Sequence, residues 1–116
     1  LQTLWKKEQH LTRNLPYSIS LIIAEFIRNI NESIPEIEKV ILFGSNAKGT
    51  ASINSDIDIA IIFEKEIKQE LEITKIIKKI EQQFNTEIQV HYFTSKGFNE
   101  KNKLITEIKN EGIRMG

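Results

Sequence analysis

Val40-Ile41-Leu42-Phe43-Gly44-Ser45-Asn46-Ala47-Lys48-Gly49-Thr50-Ala51-Ser52-Ile53-Asn54-Ser55-Asp56-Ile57-Asp58-Ile59-Ala60 is the stretch from which the fold is read. Its first four residues form an apolar run suited to a buried strand, and the Gly44-Ser45 pair stops that run where a helix can open. Free backbone N–H groups at such a helix start, together with the positive end of its dipole, favour an anion. Glycine lets the backbone approach phosphate oxygens closely, Ser45 can add a hydroxyl, and Lys48 can add a point charge.

From Asp56 the pattern changes. Asp56-Ile57-Asp58-Ile59 alternates with the period of a strand, so the two carboxylates share one face while Ile57 and Ile59 enter the core. Neighbouring carboxylates repel unless a cation neutralises them. Oxygen-only ligands suit Mg²⁺, which commonly joins one or two carboxylates to substrate phosphates. A phosphate-sized turn followed by an Asp pair therefore implies a metal-bound nucleoside triphosphate, with magnesium as cofactor.

Two other phosphate or metal motifs are excluded by single positions. Gly44 and Gly49 have P-loop spacing, but Thr50 stands where the lysine is required. Asn54, Asp56 and Asp58 imitate the opening of an EF-hand loop, but Ile59 replaces its turn glycine and no Glu closes it.

Residues 40–63, with Gly44-Ser45, Gly49 and Ser55-Asp56-Ile57-Asp58-Ile59, resemble the signature of the DNA polymerase beta nucleotidyltransferase superfamily, in particular its minimal stand-alone members. The resemblance implies that Gly44 and Ser45, with Lys48 and Gly49, hold the triphosphate, that Ser55 shapes the approach to the Asp pair, and that Asp56 and Asp58 bind metal. It implies transfer of a nucleoside monophosphate to a hydroxyl with loss of pyrophosphate. It also implies a third carboxylate on a neighbouring strand. Thr86-Glu87-Ile88-Gln89-Val90-His91-Tyr92-Phe93 alternates as that strand should, with Ile88, Val90 and Tyr92 on one face and Glu87, Gln89 and His91 on the other. Gln89 falls at the usual Asp position, and Glu87, one pleat away, is the alternative. The arginine that often follows Gly-Ser is Asn46 here, which leaves Lys48 to carry more of the phosphate attraction.

The rest of the chain bounds these expectations. Its 116 residues suit one nucleotidyltransferase-like domain over 1–116, an α/β (α+β) sandwich with a small mixed sheet of three or four strands packed against helices. Lys plus Arg and Asp plus Glu number 16 each, so no global field favours direct nucleic-acid binding. Without cysteine, a transmembrane-length apolar run or a secretory leader, the expected setting is the cytoplasm, with no membrane association. The chain opens on Leu1 rather than Met, and upstream residues are expected.

Helical spacing predicts a helix between Pro16 and Pro35 with Ile19, Ile22, Ile23, Phe26, Ile27 and Ile30 inward, and a second from about Glu66 to Phe84 with Ile67, Leu71, Ile77, Ile80 and Phe84 on one stripe. A third runs from about Ser95 to Glu111 with Phe98, Ile105 and Ile108 inward. Residues 1–15, with Leu1, Leu4, Trp5 and Leu11, read as an amphipathic N-terminal helix that packs back or meets a partner.

Two function classes stay open. One is a Mg²⁺-dependent nucleotidyltransferase moving AMP from ATP to a hydroxyl of a protein or small molecule. The resemblance implies a small helical HEPN protein as its partner, with this chain as the antitoxin, and some minimal members modify a partner tyrosine. The other is a nucleotide- or partner-binding module, catalytically weak or inactive, that neutralises a partner by occlusion. A small-molecule acceptor would require a homo-oligomer to build its pocket.

Overall fold

Pro16 opens the first helix because its fixed φ suits a helix start and it lacks an N–H to leave unsatisfied. The computed structural model of the chain describes residues 15–52 and 55–116. The predicted N-terminal helix over 1–15 lies outside the described residues except for Leu15, which is buried. Helix α1 (Tyr17–Ser33) buries Ile22, Ile23, Phe26 and Ile30 of the stripe expected from the sequence, with Ile19 and Ile27 half-buried beside them, and ends where the Ile34 amide donates to the Ile30 carbonyl just before Pro35. Glu25 and Glu32 flank Arg28 on its exposed face, an arrangement that contributes little to stability in water.

Strand β1 (Ile37–Phe43) leads into the four-residue helix α2 (Ser45–Lys48), and β2 (Ile57–Phe63) returns antiparallel to β1. Helix α3 (Glu70–Phe84) crosses over to β3 (Ile88–Thr94), which lies parallel to β2. A 3₁₀ turn at Gly97–Asn99, helix α4 (Lys103–Glu111) and the short β4 (Ile113–Arg114) complete the order. The sheet runs β3-β2-β1-β4, with β4 antiparallel to β1.

Helices cover both faces of this mixed sheet. Val40, Leu42, Ile57, Ile59, Ile61 and Phe63 turn toward α1 and α3, where they meet Phe26, Ile30, Ile73 and Ile80. Ile41, Phe43, Ala60 and Ile62 turn the other way, onto Phe98 of the 3₁₀ turn and Ile105 and Ile108 of α4. The central strand β2 is consequently buried along its whole length except at Asp58, which is half-buried. Covered on both sides, it reads as a nearly continuous apolar run, and each large side chain there contributes about 1.5–3 kcal/mol.

Three boundaries differ from the sequence expectation. The second helix starts at Glu70, not near Glu66, so Ile67 precedes it and Leu71 is 71% exposed; the buried positions are Ile73 and Ile80, with Ile76, Ile77 and Phe84 packed beside them. The helix expected over 95–111 is broken because Asn102 caps a new start, its Oδ1 accepting from the Ile105 amide at 2.8 Å. Phe98, Ile105 and Ile108 are nevertheless all buried as expected. Finally, β4 extends the sheet at the β1 edge, and the Val40 amide and carbonyl also bond Gly116 and Met115. No helix of the described residues is long and apolar enough to cross a membrane.

Candidate active site

The turn after β1 has a backbone that only glycine adopts readily. Gly44 has φ +75° and ψ −157°, in a region closed to side chains by Cβ clashes. Its carbonyl accepts from the Ala47 and Lys48 amides, both at 3.1 Å. The Ser45 and Asn46 amides stand at the open start of the helix, where no preceding carbonyl can accept from them. Gly49 ends α2 in the left-handed conformation with open space around its Cα, so it acts as a helix stop.

Asn46 ties this turn to the carboxylate strand. Its side chain is only 4% exposed, and Nδ2 donates to the Asp56 carbonyl at 2.9 Å. The sequence showed only that Asn46 stands where a family arginine is frequent; its anchoring role depends on a tertiary bond ten residues away. Ser55 closes the approach to β2 by a local turn: its amide donates to the Ser52 carbonyl at 3.1 Å, and its Oγ accepts from the Ser52 amide at 2.9 Å.

Strand register then sets the acidic cluster. Asp58 lies between Phe43 on β1 and Gln89 on β3. One step earlier the Ile57 amide donates to the Glu87 carbonyl at 2.9 Å, which brings Glu87 beside Asp56. A Cβ built on Gly44 would lie 3.1 Å from Asp58 Cγ and 3.3 Å from its Cβ. The glycine turn and Asp58 thus occupy one another's contact surface.

Partial burial holds the Asp58 carboxyl above the usual aspartate range; His91 works against that shift, while the charges of Asp56 and Glu107 add to it. Glu87 is also held high, first by a hydrogen bond shared with the Asp56 carboxylate and then by its charge. His91 sits one pleat beyond Gln89, its ring T-shaped to that of Phe43 at a centroid distance of 5.3 Å.

Lys48 turns to α4. Its Nζ lies 3.0 Å from Glu111 and 3.4 Å from Glu107, and these partners hold its ammonium above the ordinary lysine range. Neither glutamate was read from the sequence, because nothing local signals that α4 returns over the motif.

The residues suit magnesium on the chemistry of the donors. Asp56 and Asp58 supply hard oxygen ligands whose mutual repulsion a divalent cation would relieve, and phosphates can complete an octahedron. Among the described residues, no group of three or more His, Asp or Glu side chains is arranged to hold a metal by itself. A cavity of about 450 Å³ lies at the opposite end of β2, lined by Glu36, Glu64, Lys65, Glu66 and Lys68, and shares no residue with this cluster.

No curated protein sequence matches the chain significantly. Among solved structures, it resembles a chain of a toxin–antitoxin complex with AMP-PNP at 19% identity, covering 79% of this chain and 70% of that one with a TM-score of 0.60. It also resembles a chain of the MntA–HepT toxin–antitoxin, at 17% identity over 82% and 69% of the two chains with a TM-score of 0.55. A third is a chain of the tri-AMPylated Shewanella oneidensis HEPN toxin complexed with MNT antitoxin, at 17% identity over 82% and 69% with a TM-score of 0.56. At these identities the likeness establishes the fold. The family match is direct: residues 23–114, spanning the motif, both faces of the sheet and α4, match the nucleotidyltransferase domain, and the chain belongs to that family.

Proposed function

We propose that the protein transfers AMP from Mg²⁺-ATP to a hydroxyl group, and that its acceptor lies on a small helical HEPN partner for which it serves as antitoxin. The observation that carries the reading is the contact of Asp58 with the Gly44 turn, which sets one carboxylate of the pair against a backbone suited to phosphate. The family match supports the transferase class. The AMP-PNP and AMPylated-toxin complexes among the structural relatives support the nucleotide and the partner.

In this reading the Ser45 amide and hydroxyl, with the Asn46 amide, orient the triphosphate, and Gly44 permits the close approach. Asp56 and Asp58 hold magnesium, which when bound neutralises charge on the phosphates and on the leaving oxygen. The acceptor oxygen forms a bond to the α-phosphorus as the bond from that phosphorus to the α,β-bridging oxygen breaks, and pyrophosphate leaves with the electron pair. Glu87, beside Asp56, takes the proton of the acceptor hydroxyl at its carboxylate. Gly49 and Ser55 shape the two ends of the connecting segment, and Lys48 offers its charge to the phosphates from the α4 side.

A second reading has its own observation. Gln89 is the residue directly opposite Asp58, and an amide is a poor magnesium ligand, which favours a module that binds nucleotide or partner and acts by occlusion. Incubation with ATP labelled at the α-phosphate, Mg²⁺ and the HEPN protein separates the two. The transferase reading expects label on the partner, none when the label is at the γ-phosphate, and none with Asp56→Asn, Asp58→Asn. Unlabelled partner that is still neutralised would favour occlusion.

A further inference from the structure

The Lys48 contacts carry an inference that rests on the proposed triphosphate site. Glu107 and Glu111 are one turn apart on α4, and Glu111 is the last residue of the helix. Like charges at this spacing repel, and a carboxylate at a helix C-terminus opposes the dipole. Nothing in α4 itself favours this pair. Both nevertheless reach across 59 and 63 positions of sequence to one ammonium in the motif helix, with all three side chains about 40% exposed. Lys109, the basic residue of the same last turn, faces elsewhere, its Nζ 5.1 Å from the centre of the Phe98 ring.

We propose that Glu107 and Glu111 are positioning residues that hold Lys48 toward α4, so that a triphosphate must draw this lysine from two carboxylates in order to bind. The exchange sets nucleotide selectivity. A triphosphate carries enough charge to compete for Lys48, whereas a monophosphate competes poorly and a nucleoside not at all. The pair therefore weakens a triphosphate most, a monophosphate less and a nucleoside not at all, and so tempers the preference for the triphosphate. Exposed ion pairs have modest strength, which lets the lysine move between partners.

The test is a double-mutant cycle on the full chain, with Mg²⁺ and non-hydrolysable ATP, AMP or adenosine as titrants. Glu107→Gln, Glu111→Gln should bind the ATP analogue about threefold to tenfold more tightly, the scale of one or two exposed pairs. It should widen the preference over AMP and leave adenosine unchanged. In a Lys48→Met background the same two substitutions should give no gain. A role limited to supporting α4 would instead lower thermal stability without changing the ATP-to-adenosine ratio, and that result would overturn the proposal. So would equal tightening with and without Lys48, which would reflect general loss of negative charge. If no variant binds the ATP analogue while all remain folded, the triphosphate site itself is wrong and this inference goes with it. Native binding without a gain in the double variant rejects the positioning role alone.

Discussion

The Asp58 side chain rests against the backbone of Gly44, so closely that a Cβ at that glycine would come within 3.1 Å of the carboxylate carbon. One contact thus joins the two halves of the motif, and it is possible only because β1 and β2 are antiparallel with Phe43 opposite Asp58.

Gly44→Ala is expected to fail twice. The positive φ and extended ψ are strained for alanine, at a cost of roughly 1–3 kcal/mol. The new methyl also displaces Asp58. Urea unfolding should show the stability loss, and titration with Mg²⁺-ATP analogue should show weakened binding in the fraction still folded. Native affinity in the alanine variant would remove this turn from the site.

Asp58 and Glu87 predict a pH dependence of the metal-free protein. Both carboxyls are held above their ordinary values of 3.8 and 4.5, so the folded state binds more protons than the unfolded chain just above those values. Their contribution to stability is present on the acid side and is lost as pH rises through the folded values. Asp58→Asn should remove part of that loss and raise stability near neutral pH, while abolishing the stabilisation given by Mg²⁺ with nucleotide. Urea midpoints from about pH 4 to pH 8 measure this; a variant less stable than native at neutral pH would contradict it.

Asn46→Ala leaves the Asp56 carbonyl without its buried donor. The expected cost is about 1–3 kcal/mol. Because that bond also fixes the entry to β2, Mg²⁺-dependent nucleotide affinity should fall with it. Thermal unfolding and calorimetry on the same sample check both, and a loss of stability with unchanged affinity would confine Asn46 to a structural role.

The contest between Glu87 and Gln89 is decided by exchanging their chemistry. If Glu87 takes the proton, Glu87→Gln lowers the transfer rate by about 10²-fold or more. Gln89→Asp then leaves the rate close to native, although it adds a like charge beside Asp58 and should lower metal-free stability. A large rate gain from Gln89→Asp, with Glu87→Gln silent, would identify position 89 as the missing ligand.

Much of this arrangement is legible along the chain because it is written in local periods. The apolar run into Gly44-Ser45, the alternation from Asp56 and the alternation around Ile88 each depend on residues a few positions apart; all three are strands, and the two alternating ones have the expected facing. The α3 stripe departs from the sequence expectation because Ile67 and Leu71 fit a helical period that the sheet does not use; the turn at Gln69, with φ +59°, starts the helix later. β4 is too short for a periodic signal and forms because the chain after α4 meets the free β1 edge. The partners of Lys48 and Asn46 are set by tertiary approach, and no local pattern specifies them.

A magnesium-dependent triphosphate site built on Asp56 and Asp58 underlies all of these predictions. Calorimetric titration with a non-hydrolysable ATP analogue, in Mg²⁺ and in chelator, for the native protein and for Asp56→Asn, Asp58→Asn, addresses it most directly. Binding is expected in Mg²⁺ and should disappear in chelator and in the folded double variant. Failure of the native protein to bind, or undiminished binding by the double variant, would contradict it.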